Sequence, residues 1–294
     1  MGAPATTVRS QAADYVELTK PRIALVALVT TFAGMWLAAG PTLEPWLIVC
    51  TLTGTWLASA SAGLLNNYID HDIDPLMSRT ANRATAAGRL ELQQVLQVGL
   101  ALGGAAFVVL FLTVNLLSAA LAVGTIYFYV VIYTMWLKRR TDLCTEIGGI
   151  AGALPPVIGY AAVTGEIGLP AILLFVIMFI WQPPHFWVLA LLREEEYRRA
   201  GIPMLPVTSG SFVTKAKMLL YTAALLPATM ALAVTGYAGP VYLVVSSIAG
   251  LVYLVWTIDF ARRPVQRKRA LNLFLFSIAY LLLVFTVIFI DSHY

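Results

Sequence analysis

The chain has 294 residues, of which 60% are hydrophobic and only 12% charged, with a mean hydropathy of +0.81. So apolar a chain is excluded from the soluble globular class and belongs in a bilayer. Its formal net charge of +4 requires no nucleic-acid partner, because basic loops that anchor to anionic lipid account for it.

The first residues, MGAPATTVRSQAADYVE, are polar and lack the apolar core of a cleavable signal peptide. Cys50 and Cys144 lie far apart and match no metal or redox spacing. Tyr15-Val16-Glu17-Leu18-Thr19-Lys20-Pro21-Arg22 leads into the first apolar run. Pro21 suits the first turn of a helix. Lys20 and Arg22 read most simply as interfacial anchors, with phosphate binding the weaker alternative.

A membrane-spanning helix needs about 20 apolar residues. The sequence predicts nine, at 22–40, 46–65, 95–114, 116–136, 147–164, 170–191, 218–235, 241–260 and 271–290. Their length and continuity favour helices over barrel strands. The softest is 147–164, with Gly148, Gly149, Gly152, Pro155 and Pro156, and only Asn115 and its neighbours separate the third from the fourth. All 19 lysines and arginines fall before or at the start of the first span, or after the second, fourth, sixth and eighth. The opposite loops carry Glu44 and Glu166, and the tail carries Asp291. The positive-inside rule puts the N-terminus and the even-numbered loops in the cytoplasm and Tyr294 outside.

Chemistry concentrates first in Leu64–Arg83, LLNNYIDHDIDPLMSRTANR. If this stretch continues the second span as a helix, Asn66, Asn67, Asp70 and Asp74 share an arc of about 100° while Asp72 points away. Pro75 closes the run. Two carboxylates and two amide oxygens suit Mg²⁺, which is usually held by one or two carboxylates and substrate phosphates. Arg79 and Arg83 can pair with phosphate oxygens. A solvated helix end with ordinary loop charges is the plain alternative, disfavoured by the Asn-Asn before the acids and the Arg-Thr-Ala-Asn-Arg after them.

After the fourth span comes Lys138-Arg139-Arg140-Thr141-Asp142, either a simple topology signal or a group facing the same anion. The sixth span carries Pro183, Pro184 and His185 and is followed by Arg193-Glu194-Glu195-Glu196-Tyr197-Arg198-Arg199. The prolines predict a break or kink. An ionisable residue at membrane depth is a candidate site residue; His185 is either that or a histidine satisfied by a neighbouring helix. Acids thus recur at the foot of an even span, four spans later. This layout suggests one domain over 1–294, with spans one to four duplicated as five to eight and a ninth added. The basic loop Arg262–Arg269 reads as a solvated anchor, and His293 as incidental.

Six stretches resemble the UbiA-type intramembrane prenyltransferases, and within them the heme-farnesylating branch. They are Leu18–Arg22; Asn66–Asp74 with Met77, Arg79, Thr80 and Arg83; Tyr133–Arg139; Gly152–Gly159; Pro184–Phe186; and Ala200–Pro206. The resemblance implies an all-α bundle of nine transmembrane helices around a central cavity, in the cell membrane with its site loops cytoplasmic. It implies transfer of farnesyl from farnesyl diphosphate to a vinyl group of heme B, with addition of water and release of diphosphate. Asn66, Asp70 and Asp74 match the first metal–diphosphate motif. Asn67 stands where many relatives carry Asp. Glu196 stands at a second-motif position usually filled by Asp, and Leu192 replaces another second-motif acid. The metal set implied is therefore Asn66, Asn67, Asp70, Asp74 and Glu196, with fewer carboxylates in its second half.

On this reading Mg²⁺, Arg79, Arg83 and Lys138 stabilise the leaving diphosphate. Tyr68, Tyr133, Phe186, Trp187 and Tyr197 are candidates to face the allylic cation. His185 contacts the heme through iron or a propionate, and His71 is the weaker candidate. The implied partners are farnesyl diphosphate, heme B, the bilayer, and terminal-oxidase assembly or heme A synthase. A different acceptor, such as a quinone precursor or a chlorin, is the rival within the class. A transporter would put its ionisable residues near mid-membrane, and a purely structural subunit would leave the amide–acid–arginine cluster unexplained.

Overall fold

Lipid offers no partner to a backbone N–H or C=O, so long apolar runs fold as helices. The computed structural model describes residues 10–292, and within them every regular element is helical. The sequence-based readings of the first residues, His293 and Tyr294 lie outside the described residues.

A short helix α1 (Gln11–Leu18) opens the chain, its N-terminus capped by Ser10 Oγ. The spans follow as α2 (Pro21–Ala39), α3 (Pro45–Ile69), α4 (Leu92–Thr113), α5 (Leu116–Tyr127), the pair α6 (Cys144–Ala153) and α7 (Pro155–Thr164), and α8 (Leu169–Leu192). A surface helix α9 (Glu194–Arg199) precedes α10 (Leu205–Val234), α11 (Pro240–Ala261) and α12 (Arg267–Asp291). Nine of the segments among the described residues are long and apolar enough to cross a membrane, as the sequence predicts. Large exposed side chains such as Leu112, Leu220, Val244 and Leu275 supply the apolar outer surface that lipid requires.

Three boundaries differ from the sequence reading. The fifth span is two helices joined at Leu154, because Pro155 and Pro156 remove two consecutive N–H donors. The seventh begins at Leu205, thirteen residues before the expected 218, and kinks at Gly210, whose φ of 75° suits glycine. The fourth continues from α5 as a π-helix, Phe128–Trp136.

Small residues set the close crossings. Gly34 on α2 lies against the Pro156 carbonyl, and Gly159 on α7 against the Thr31 carbonyl, so that any Cβ there would collide with backbone. Gly99 on α4 admits Leu65 of α3, and Ser61 Oγ donates to the Gly99 carbonyl at 2.7 Å. Such small-residue contacts let helix backbones approach where lipid offers no hydrophobic drive. The neighbours also repeat: α3 packs on α2 and α4, as α8 packs on α6 and α10. The ninth span, α12, packs on α2, α8 and α11. Asp291 near its end is buried and accepts from the Tyr242 N–H at 2.6 Å, capping the start of α11.

Candidate active site

The last turn of α3 buries Asn66 and Asn67. The α-helix then stops at Ile69, and the chain continues as two 3-10 turns, Asp70–Asp72 and Asp74–Leu76. The condition considered from the sequence, one α-helix continuing through Asp74, is not met. Pro75 disfavours the helical conformation at the residue before it, and the coil tightens ahead of it. The expected facing survives: Asp70 and Asp74 are buried, while the Asp72 side chain is 49% exposed and paired with Arg139.

Each buried acid meets a cation from elsewhere. Asp70 Oδ2 accepts from Lys138 Nζ at 2.6 Å and from Asn66 Nδ2 at 2.9 Å. Asp74 takes Arg83 Nη1 on both oxygens, at 3.0 and 2.8 Å, and its carbonyl accepts from Thr80 Oγ1. Asn66 Nδ2 also donates to Thr134 Oγ1 at 3.1 Å, and its oxygen accepts from Lys20 Nζ. Asn67 Nδ2 donates to the carbonyls of Gly63 and Leu18. Two buried oxygens, Asp70 Oδ1 and Asn67 Oδ1, have no hydrogen-bond partner. Leaving a buried acceptor unmatched costs about 1–3 kcal/mol, which a bound donor or cation recovers. Beside Asn67 a cavity of about 290 Å³ is lined by Lys20, Asn67, Arg79, Asn82 and Arg83, and by Glu17 and Leu18 of α1, while Asp70 and Asp74 stand behind this lining.

Lys20 is the main addition to the sequence reading. It reads most simply as an interfacial anchor, with phosphate binding the weaker alternative, and its side chain turns in to Asn66 and to the Tyr129 hydroxyl at 3.4 Å. Its backbone is left-handed, with φ 55° and ψ 58°, the one positive φ at a non-glycine residue in the described chain. Such conformations are held by their surroundings and gather at functional sites. Burial, then the nearby Arg83, bring its ammonium down to about 7, against the opposing pull of Asp70. Arg89 helps to hold α1 across the site through two bonds of 2.9 Å to the buried Asp14.

The π-helix supplies a second wall. A π-turn is wider than an α-turn, so Tyr129 and Thr134 fall on one side five residues apart. Thr134 Oγ1 donates to the Tyr129 carbonyl at 2.8 Å. Tyr129 and Tyr133 stack at 5.4 Å. Tyr129 carries no motif signal in the sequence, and Thr134 is marked only by its place in the Tyr133–Arg139 stretch. Only the wider turn of the helix brings them to Asn66 and Lys20.

The second acidic loop meets the first. Glu196 Oε2 accepts from the Ser78 N–H and hydroxyl, both at 3.0 Å. Behind this contact Ile73, Met77, Leu137, Cys144, Ala190, Ile202 and Met204 form a buried cluster, with Tyr133 and Tyr197 against it. Burial lifts the Tyr197 phenol above the ordinary value in spite of the nearby Arg79 and Arg193.

The other candidates are dispersed. Phe186 is 47% exposed, Trp187 packs edge-on to Tyr221 in the interior, and Tyr68 packs near α1. His71 bonds the local Tyr68 carbonyl. His185 is buried within α8, about 10 Å of helix from Leu192. It lies between the rings of Trp181 and Phe274 and bonds Ser277.

Among the described residues no three His, Cys, Asp or Glu side chains form a metal-binding group. What the cluster offers is hard oxygen donors and cations close to a cavity, a combination that suits an anionic oxygen-rich ligand.

Known proteins share this architecture and much of this sequence. Residues 27–279 match the model of the UbiA prenyltransferase family. A protoheme IX farnesyltransferase of Gloeobacter violaceus is 47% identical over 279 residues, 95% of this chain and 92% of the relative. Another, of Symbiobacterium thermophilum, is 45% identical over 95% of this chain and 93% of its own. Among solved structures, a digeranylgeranylglyceryl phosphate synthase superposes with a TM-score of 0.79 at 16% identity, covering 96% of this chain and 98% of its own. A UbiA homolog from Archaeoglobus fulgidus bound to DMAPP and Mg²⁺ superposes at 0.67 with 15% identity, covering 94% and 99%.

Proposed function

The chain belongs to the UbiA prenyltransferase family, and on that premise we propose that it transfers farnesyl from farnesyl diphosphate to a vinyl group of heme B. The observation that carries the reaction type is the pair of buried carboxylates, Asp70 and Asp74, each matched to a cation beside a cavity lined by Lys20, Arg79 and Arg83. The acceptor rests on the likeness to the protoheme IX farnesyltransferases.

The unmatched oxygens of Asp70 and Asn67 are a carboxylate and an amide, donors suited to Mg²⁺. Asp70, Asp74, Asn66 and Asn67 would hold that ion, which when bound supplies positive charge to the diphosphate oxygens. Glu196 holds Ser78 through Oε2 alone and can offer Oε1 to this set without breaking that contact. Its present bonds suit it to fastening the second loop to the first.

The allylic C–O bond breaks with its electron pair leaving on diphosphate. Lys138 and Arg83 pair with Asp70 and Asp74 and can turn to the phosphate oxygens of a bound substrate. Lys20 and Arg79 already face the cavity. Charges fixed in place before the reaction cost no reorganisation when the leaving oxygen becomes negative. Tyr129, Tyr133 and Tyr197 offer aromatic faces to the allylic cation. The new C–C bond forms at the vinyl terminus. The carbon next to the porphyrin takes a hydroxyl from water, and a proton and diphosphate are released.

The test is direct. Purified protein is incubated with heme B, farnesyl diphosphate and Mg²⁺, and products are identified by mass, with 4-hydroxybenzoate as the competing acceptor. Heme O is the expected product. Prenylated 4-hydroxybenzoate with unchanged heme would move the chain to another branch of the family.

A further inference from the structure

Asn67 lines the cavity and is 1% exposed, yet its amide nitrogen is spent inside the protein. Nδ2 donates to the Gly63 carbonyl at 2.7 Å and to the Leu18 carbonyl at 3.3 Å. A carboxamide has two N–H protons, and both are used. The two ends of the amide are alike in shape and are told apart by their partners. Carbonyls offer only lone pairs, so they take the nitrogen end, and Oδ1 is the end left without a partner. A carboxylate at this position would have no proton to give and would set its charge against both carbonyls.

These bonds hold the link between α1 and α2. Leu18 ends α1, so its carbonyl is one that the helix itself leaves unbonded. The link then lies directly on α3: a Cβ on Gly63 would stand 2.7 Å from the Leu18 oxygen and 3.2 Å from the Thr19 oxygen. Gly63 and Asn67, about one helical turn apart, thus form a seat for it. Two residues beyond Leu18 comes the left-handed Lys20, a conformation that a side chain disfavours and that persists only where its surroundings fix it. The neighbouring amide, Asn66, accepts from Lys20 Nζ. Consecutive asparagines therefore grip Lys20 from both ends, Asn67 through the backbone before it and Asn66 at its ammonium.

We propose that Asn67 is the positioning residue of Lys20: its two N–H donors seat the α1–α2 link on α3 and so hold the lysine ammonium at the diphosphate cavity. This rests on the prenyl diphosphate reading above and adds a reason for an amide at this position. Metal binding alone asks for an oxygen, which aspartate supplies with more charge. Holding the link asks for hydrogen-bond donors, which aspartate lacks.

The experiment uses purified full-length protein and two variants. Asn67→Asp exchanges the donors for a charge at constant shape. Gly63→Ala crowds the Leu18 carbonyl and leaves every polar side chain of the cluster as it is. Both should raise the KM for farnesyl diphosphate about tenfold, the size of the Lys20 contact itself. In a Lys20→Met background Gly63→Ala should add less than about twofold, because both changes remove one and the same contact. Hydrogen exchange on the substrate-free protein is the second readout. The bonded amides of Thr19, Lys20, Ile23 and Ala24 should exchange faster in both variants, while those of α11 keep their rates. Unchanged exchange in Asn67→Asp, an unchanged KM in Gly63→Ala, or losses that multiply in full with Lys20→Met overturn the inference and leave prenyl transfer standing. Failure of the unmodified protein to bind farnesyl diphosphate or form heme O removes the underlying reading instead, and the exchange rates then judge the seat alone. Where one variant yields no folded protein, the other decides.

Discussion

Asp74 uses both oxygens on Arg83, whereas Asp70 keeps one oxygen buried and unmatched. Asp70 is therefore the side chain best placed to gain from a divalent cation. Asp70→Asn keeps the shape and removes the charge, and should lower kcat about 10²–10³-fold with the protein still inserted. Near-normal heme O formation at saturating Mg²⁺ would remove the metal assignment. Lys20→Met should raise the KM for farnesyl diphosphate about tenfold, the size of one lost charge-assisted contact, and change heme affinity little. An unchanged KM would return Lys20 to a purely anchoring part. The acids and amides were legible in the sequence because carboxamides and carboxylates are rare at the foot of an apolar run. Lys20 was not. A lysine before Pro21 looks the same whether it reaches lipid headgroups or turns inward, and the difference lies in a left-handed residue that no residue type announces.

Helix geometry decides more than helix number. Nine spans were legible from apolar length alone, but the periodicity of an ordinary α-helix hides the π-turn that aligns Tyr129 with Thr134. The glycine–proline stretch in the fifth span likewise read as a weak span and a family motif. In three dimensions Gly159 makes a backbone crossing with Thr31, and Gly152 makes room for the Gln182 side chain. Gly159→Ala should therefore cost about 3 kcal/mol or more, since the obstructing atom is a carbonyl that cannot rotate away. Gly104→Ala is the control. Nothing lies within 4 Å of its added methyl, and alanine in a helix gains about 1 kcal/mol over glycine. Thermal unfolding in detergent compares the two. Equal midpoints would show that the α2–α7 crossing relaxes more easily than its geometry implies.

At the scale of the whole molecule, the pairing of α3 with α4 across the first acidic loop and of α8 with α10 across the second supports a duplicated four-span unit with α12 added. We propose that arrangement, within one domain over 1–294, together with the orientation that the charges suggest. The two proposals are linked. If each unit has four spans, both acidic loops open on the same side, which the Ser78–Glu196 contact requires. The basic loops then identify that side as cytoplasmic. Ala87 and Glu166 are both exposed and lie in loops of opposite parity, whereas Cys50 and Cys144 are buried. Single substitutions Ala87→Cys and Glu166→Cys therefore report sidedness against a quiet background. In intact cells a membrane-impermeant maleimide should label Glu166→Cys at once and Ala87→Cys only after the membrane is opened. The reverse pattern would place the diphosphate mouth outside, away from a cytoplasmic supply of prenyl diphosphate, and the charge argument would fail with it.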